Sequence, residues 1–253
     1  MSDEKLWQRP DYVTIPTVWA RYESPKPMKN GVRPKFRIQD FSEEWRDQVL
    51  NNMRKFFLRD EPLSNSLGFA DDQPAADGFI SFVGKYLDRK MGLIAVVENL
   101  DDLGDESLPA LAGCNITGVV TEDEHDDMPE MEKIKIICEA LEKLKEKENP
   151  FKFYKVSEML YAMGLSVDPA FRGHNLGYEI LKSRFPLCKA VGIKVTVTVF
   201  TGSAAQKAAT RLGFETLTEI AYDEYKDGNG QVVFKIDSPK SMKLMGIRIP
   251  ENW

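Results

Sequence analysis

Histidine and cysteine are scarce: the 253 residues include two His and three Cys. Cys114, Cys138 and Cys188 lie far apart with no CxxC pair, which leaves zinc and thiol-redox motifs without support and fits a reducing compartment. No metal site is expected. Long apolar runs are missing too; Met91–Val97 and Val195–Phe200 are far shorter than a membrane span. The opening Met-Ser-Asp-Glu-Lys-Leu-Trp lacks the apolar core of a signal peptide, so a cytoplasmic location with no membrane partner is expected. Basic charge is not in excess: 34 Lys and Arg against 40 Asp and Glu give a net charge of −6, which argues against broad nucleic-acid binding and is compatible with a cationic substrate.

A hydrophobic share of 42% with 29% charged residues is enough for one large core without disulfides or metals. Residues 1–34 read as an arm in which Tyr12–Ile15 can add an edge strand, and residues 35–253 read as one domain. Lys35–Asp40 alternates apolar Phe36 and Ile38 with polar residues, as a strand does. Ser42 is a candidate N-cap for a helix carrying Trp45, Val49, Met53 and Phe56, which Pro62 is expected to stop. A helix over Pro74–Arg89 and strands over Gly92–Glu98 and Ala110–Thr121 follow. Met131, Ile134, Ile137, Leu141 and Leu144 form one stripe of a packed or lid helix, capped by Asp126 or Asp127. Then come a strand at Met159–Val167, a helix over Leu176–Val191, a strand at Lys194–Phe200 and a helix over Ser203–Leu212, capped by Ser203 and stopped by Gly213. Phe214–Tyr222 and Val232–Ile236 flank the turn Lys226–Gly230, and Met242–Ile249 is a last strand. The order is mixed α/β with an antiparallel start and end.

The segment Met163–Leu181 carries the most information. A strand runs through a turn at Asp168-Pro169 and a Gly-containing loop into an amphipathic helix. Such a loop aims backbone N–H groups at a phosphate, aided by the helix N-terminus. Arg172 adds a charge suited to pyrophosphate, and Gly173 and Gly177 permit close approach. His174 lies inside this loop and is expected to face solvent rather than act as a base.

Leu165-Ser-Val-Asp-Pro-Ala-Phe-Arg-Gly-His-Asn-Leu-Gly177 resembles the coenzyme A pyrophosphate motif of the GNAT superfamily, Arg/Gln-x-x-Gly-x-Gly/Ala, with Asn175 at the usual central Gly. Phe200–Glu215 resembles the next GNAT element, a strand and a helix ending in Leu-Gly-Phe. Phe56-Phe-Leu-Arg-Asp-Glu-Pro-Leu63 and Asp223–Phe234 are similar to segments of the insect arylalkylamine N-acetyltransferases, so the resemblance spans roughly 35–250. It implies a single GNAT domain of mixed α+β class, with a central twisted, mostly antiparallel sheet flanked by helices. It implies acetyl-CoA as cofactor, held by Arg172, Gly173, His174, Asn175, Leu176, Gly177 and Lys207. Backbone around Leu165, Ser166 and Val167 would polarise the acetyl carbonyl. Many GNAT enzymes place a thiolate-protonating Tyr where this chain has Ala209; Ser203 is the nearby hydroxyl, and water is the alternative.

The resemblance also makes Glu61 the general base. An alkylamine with a Lys-like pKa of about 10.4 is only roughly one part in a thousand neutral near pH 7, and only the neutral form attacks a thioester. A carboxylate that binds the ammonium and takes its proton contributes about 10²–10⁴ in rate. The expected substrate is a small primary amine, such as dopamine, serotonin, tyramine or a polyamine. A protein lysine or N-terminal acetyltransferase, and a non-catalytic acyl-CoA-binding module, are the competing readings.

Overall fold

A computed structural model of the chain describes residues 7–124 and 131–251. His125 and the expected caps Asp126 and Asp127 lie outside the described residues. The chain starts with β1 (Val18–Glu23) and β2 (Lys35–Asp40), then α1 (Arg46–Asn52), α2 (Leu58–Asp60), α3 (Pro62–Ser66) and α4 (Gln73–Leu87). Next come β3 (Leu93–Val97), β4 (Leu111–Thr121), α5 (Glu132–Lys147), α6 (Pro150–Tyr154) and β5 (Glu158–Val167). The last part is α7 (Leu176–Lys182), α8 (Arg184–Val191), β6 (Val195–Phe200), α9 (Ser203–Arg211), β7 (Glu215–Ala221) and β8 (Ser241–Arg248).

The strands form one 8-stranded sheet in the order β1-β2-β3-β4-β5-β6-β8-β7. Neighbours are antiparallel except β5 and β6, which the α7–α8 crossover joins in parallel. One face packs on α1 and α4 through Val49, Met53, Val83, Ile94 and Ile116. The other packs on α7 and α8 through Leu93, Leu160, Ile180 and Leu187. On the α5 stripe Ile134 and Leu144 are buried, and Ile134, Ile137 and Leu141 line a cavity.

Several boundaries differ from the expectation, each for a local reason. Between Asn52 and Leu58 the helix widens into a π turn at Met53–Phe57, which inserts a residue and turns Leu58 into the core. That helix ends at Asp60 as expected, because Pro62 holds the residue before it extended. The missing N–H of Pro62 suits a first helical position, and it opens α3 after an extended Glu61. Ser42 makes no capping bond and donates to the Glu44 carboxylate instead. Tyr12–Ile15, flanked by Pro10 and Pro16, forms no strand; the edge strand is Val18–Glu23. Val232–Ile236 makes only an isolated bridge, Val232 to Lys226, because Phe234 turns inward to pack between Tyr222 and Tyr225.

The residues before β1 are tied to the sheet by a buried ion pair. Arg9 donates through both terminal nitrogens to Asp40, at 2.9 and 2.8 Å, and both side chains are almost wholly buried. Trp19 Nε1 and the Thr17 N–H also donate to the Asp40 carboxylate. Asp40→Ala strands all of these donors, so it should lower folding stability by about 3–5 kcal/mol in urea unfolding followed by circular dichroism. A loss under about 1 kcal/mol would show that the pair does not anchor the arm.

Candidate active site

β5 and β6 pair only at Leu160–Thr196 and Tyr161–Val197 and then part. On its other edge β5 carries a bulge: Ile116 opposes Gly164 and Thr117 opposes Ala162, leaving Met163 extra. Gly164 is required here, since a Cβ would come within 2.8 Å of Met53 and 2.9 Å of Phe57. The gap between the parting strands opens a cavity of about 700 Å³. Leu165, Ser166 and Val167 line it from β5, and Thr198 to Thr201 from β6.

At one end of the cavity lies the loop after β5. Asp168 accepts from the Ala170 N–H and sets the turn. Gly173 and Asn175 both take left-handed backbone, with φ of 82° and 61°, so Asn175 supplies the conformation that a Gly would otherwise provide. Asn175 precedes α7, and its carbonyl accepts from Tyr178 and Glu179. The N–H groups of Gly173, His174, Asn175, Leu176 and Gly177 have no acceptor among the described residues. Arg172 and Lys207 line this end. So does Arg211, one turn beyond Lys207 on the same face of α9, which donates to Asn175 Oδ1 at 3.0 Å. The i, i+4 spacing of Lys207 and Arg211 was the signal available for it. Free N–H groups and several cations around a concave loop fit a polyphosphate.

His174 does not face solvent, and it is not among the cavity-lining residues. It is 5% exposed and shares a 2.8 Å hydrogen bond with Ser24 through Nδ1. Its carbonyl accepts from Tyr22 at 3.0 Å. The strand from the arm therefore supports the loop from beneath, a long-range contact that no local pattern encodes.

Glu61 lines the same cavity, beside Thr201. It caps α3: Oε1 accepts from the Leu63 N–H at 3.1 Å, and Oε2 from the Ser64 N–H and Ser64 Oγ, each at 2.7 Å. Thr201 Oγ1, across the cleft, donates to Oε1 at 2.7 Å. Tyr222 holds Thr201 in turn by donating to its carbonyl at 2.8 Å. Burial and then the Glu61 charge push the Tyr222 phenol well above its usual pKa, so it stays a donor. Ser203 is not the cap of α9. Gly202 takes that position, and Ser203 is not among the residues lining the cavity. Ala209 is buried in the core.

Asp60 accepts from Arg172 at 2.6 Å. Burial alone would raise its carboxyl, but hydrogen bonds from Arg59 and Arg172 outweigh that and hold it below the usual range. Phe56, Phe57, Phe69, Phe79 and Tyr161 line the cavity as well. Asp60 and Glu61 are the only acids among the described lining residues.

A parallel strand pair that parts over a bulge, with a phosphate-type loop at the crossover, defines a GNAT-type N-acetyltransferase. No protein-family model matches the chain, and no curated protein does. Solved structures match it. Arylalkylamine N-acetyltransferase 7, as assigned in the yellow fever mosquito Aedes aegypti, is 31% identical at a TM-score of 0.86, covering 96% of this chain and 100% of that one. Arylalkylamine N-acetyltransferase 2 of Aedes aegypti is 25% identical at 0.74, over 85% and 99%. A polyamine N-acetyltransferase of Drosophila melanogaster shares the fold, at 16% identity and 0.69 over 84% and 99%. The chain belongs to the insect arylalkylamine N-acetyltransferase family. Among the described residues no helix is long and apolar enough to cross a membrane.

Burial and then the nearby Lys26 charge lower the His174 pKa below its ordinary 6.5. A proton-detected titration should therefore find more than half of this imidazole neutral at pH 6.5. Its folded value is depressed, so its contribution to stability is lost as pH falls through 6.5 toward the folded midpoint. A midpoint at or above 6.5 would contradict the buried placement.

Proposed function

We propose that the protein moves the acetyl group of acetyl-CoA to the primary amine of a small arylalkylamine, with Glu61 receiving the amine proton through the Thr201 hydroxyl. The observation that carries this reading is one cavity with two kinds of lining. Cations and free N–H groups gather at the loop 172–177, and the same cavity is lined by aromatic side chains and by Glu61, a carboxylate without an ion-pair partner among the described residues. Arg172, Lys207, Arg211 and the N–H groups of 173–177 would hold the coenzyme phosphates. Acetyl-CoA, when bound, supplies an activated acyl group. The N–H groups of Leu165 and Val167, which the register turns away from β4 toward the side where β6 has parted, are the donors suited to its carbonyl oxygen.

The aromatic wall favours an arylalkylamine over a polyamine. A polyamine carries several cations and needs several acids, whereas Asp60 is already bonded to Arg172. The proton route follows from lone-pair counting. A carboxylate accepts at about four sites, and Glu61 receives four hydrogen bonds. It cannot take a further proton directly without giving up a donor. A hydroxyl both donates and accepts, so Thr201 can take the amine proton while passing its own to Oε1. Ser203, first considered as a thiolate acid, has no part in this scheme.

Arg172→Ala should weaken acetyl-CoA binding about tenfold to a hundredfold in calorimetric titration, the range for a hydrogen bond to a charged group. Asp60→Asn should do the opposite and tighten binding by up to about fivefold, because it releases Arg172 from a half-exposed pair. Unchanged affinity in both variants would dismiss the loop as the phosphate site.

Glu61→Gln should cut turnover about 10²-fold or more with near-normal acetyl-CoA affinity, and the defect should shrink as pH rises and more amine is neutral. The same change turns an amide donor toward the N–H groups of α3, so a stability loss of about 0.5–2 kcal/mol should accompany it and be measured separately. Thr201→Val should mimic the turnover loss. Near-normal turnover of Glu61→Gln at pH 7 would assign the proton to another acceptor.

A further inference from the structure

Arg184 opens α8 and is fully buried, yet its hydrogen-bond partners are all neutral. Nε donates to Asn115 Oδ1 at 2.8 Å, and Nη1 donates to Thr198 Oγ1 at 2.7 Å and to Thr196 Oγ1 at 3.3 Å. No carboxylate pairs with it among the described residues. A buried charge without a counter-ion is costly, and such groups are normally paired. Burial pulls its pKa down to about 9, still above neutral pH, so the guanidinium keeps its charge.

Its place in the fold is specific. Thr196 belongs to the first of the two β5–β6 pairs, and Thr198 lies just past the second. Asn115 in turn donates through Nδ2 to the Gly164 carbonyl at 2.7 Å, at the bulge. Arg184 thus spans from β6 to β4 and, through Asn115, to β5, where direct β5–β6 bonds have ended. It also lines the cavity, at the inner vertex of the parting strands. The phosphate loop lies at the outer end, beyond Val167. A cofactor anchored there by its phosphates directs its thioester toward the vertex.

We propose that Arg184 is a positioning and electrostatic residue: it fixes the width of the parted strands and supplies the positive charge toward which the coenzyme sulfur leaves. This rests on the acetyl-CoA reading above. In the transfer, the amine nitrogen bonds to the acetyl carbon, the carbon–sulfur bond breaks, and its electron pair leaves on sulfur. The ammonium loses two protons overall. One passes through Thr201 and Glu61 to solvent, and the other ends on the sulfur. Negative charge on sulfur before that second proton arrives needs a stabiliser, and Arg184, charged and without a carboxylate partner among the described residues, lines the cavity at the vertex.

Two measurements on the full chain test this. In steady-state kinetics Arg184→Met should lose about 10²-fold in kcat with acetyl-CoA KM within about threefold, and Arg184→Lys, which keeps the charge, should recover most of the kcat. The second readout is thiolate absorbance of bound CoA without amine. In the wild type the CoA thiol should ionise about one pH unit lower than in Arg184→Met. The titratable side chain in contact with Arg184 is Cys188, one turn along α8, whose own thiol burial pushes up to about 12. The partners from β4 and β6 are Asn115, Thr196 and Thr198, which do not titrate, and Glu61 is bonded to Thr201. If Arg184→Met does not fold, Arg184→Gln serves as the neutral variant in both measurements. Equal thiol ionisation in wild type and neutral variant, or equal kcat losses in the Lys and neutral variants, would overturn the proposal and reduce Arg184 to a clamp. A wild type that binds no CoA would instead overturn the acetyl-CoA reading itself.

Discussion

The separation of β5 from β6 is the constraint on which the site depends. A parallel pair has evenly spaced ladder bonds, and stopping the ladder after Tyr161 and Val197 leaves backbone donors and acceptors facing a gap. Inside a fold such groups need partners. The bulge at Met163, the Asn115 bond to Gly164 and the Arg184 bonds to β6 hold the gap open. Its remaining polar edge is left for an extended ligand, and the crossover helices place the phosphate loop at its mouth.

The two kinds of lining in the cleft obey different electrostatics. At the loop, Arg172, Lys207 and Arg211 converge on free N–H groups, so charge is concentrated where solvent can reach it. Elsewhere in the same lining one carboxylate is held by four donors, two of them helix N–H groups. Glu61 thereby serves stability and polarity together. It caps α3 as a Ser or Asp would, and it presents a fixed negative charge beside a hydroxyl in an apolar wall. Asp60, its neighbour, is tied instead to the loop through Arg172. Adjacent acids in one tetrapeptide thus take different partners, Asp60 the Arg172 guanidinium and Glu61 the Thr201 hydroxyl, across the break between α2 and α3.

Much of this was legible in the sequence because it is locally encoded. Alternation placed β2, β-branched residues placed β6, turn chemistry at Asp168-Pro169 placed the loop, and Asn175 holds the left-handed backbone its residue type tolerates. What failed depended on distant partners. His174 looked solvent-facing because nothing near it in sequence shows that Ser24 and Tyr22 lie beneath it. Val232–Ile236 alternates like a strand, but burial of Phe234 outweighs pairing. Arg184 stands in an ordinary amphipathic helix pattern, and its burial follows from strands it does not adjoin in sequence.

The arm beneath the loop has a thermodynamic consequence. A phosphate loop that must be ordered by its ligand loses binding free energy to that ordering, whereas one already held in place does not. Here the left-handed residues Gly173 and Asn175 flank His174, whose ring bonds Ser24 and whose carbonyl accepts from Tyr22. β1, which joins those residues to the sheet, is anchored at its start by Asp40 through Thr17 and Trp19, and Asp40 is fixed by Arg9. The chain from a buried ion pair to an edge strand to a loop is continuous. It makes the arm part of what holds the loop 172–177 in place before any ligand binds, although none of the arm residues Arg9, Ser24 and Tyr22 lines the cavity.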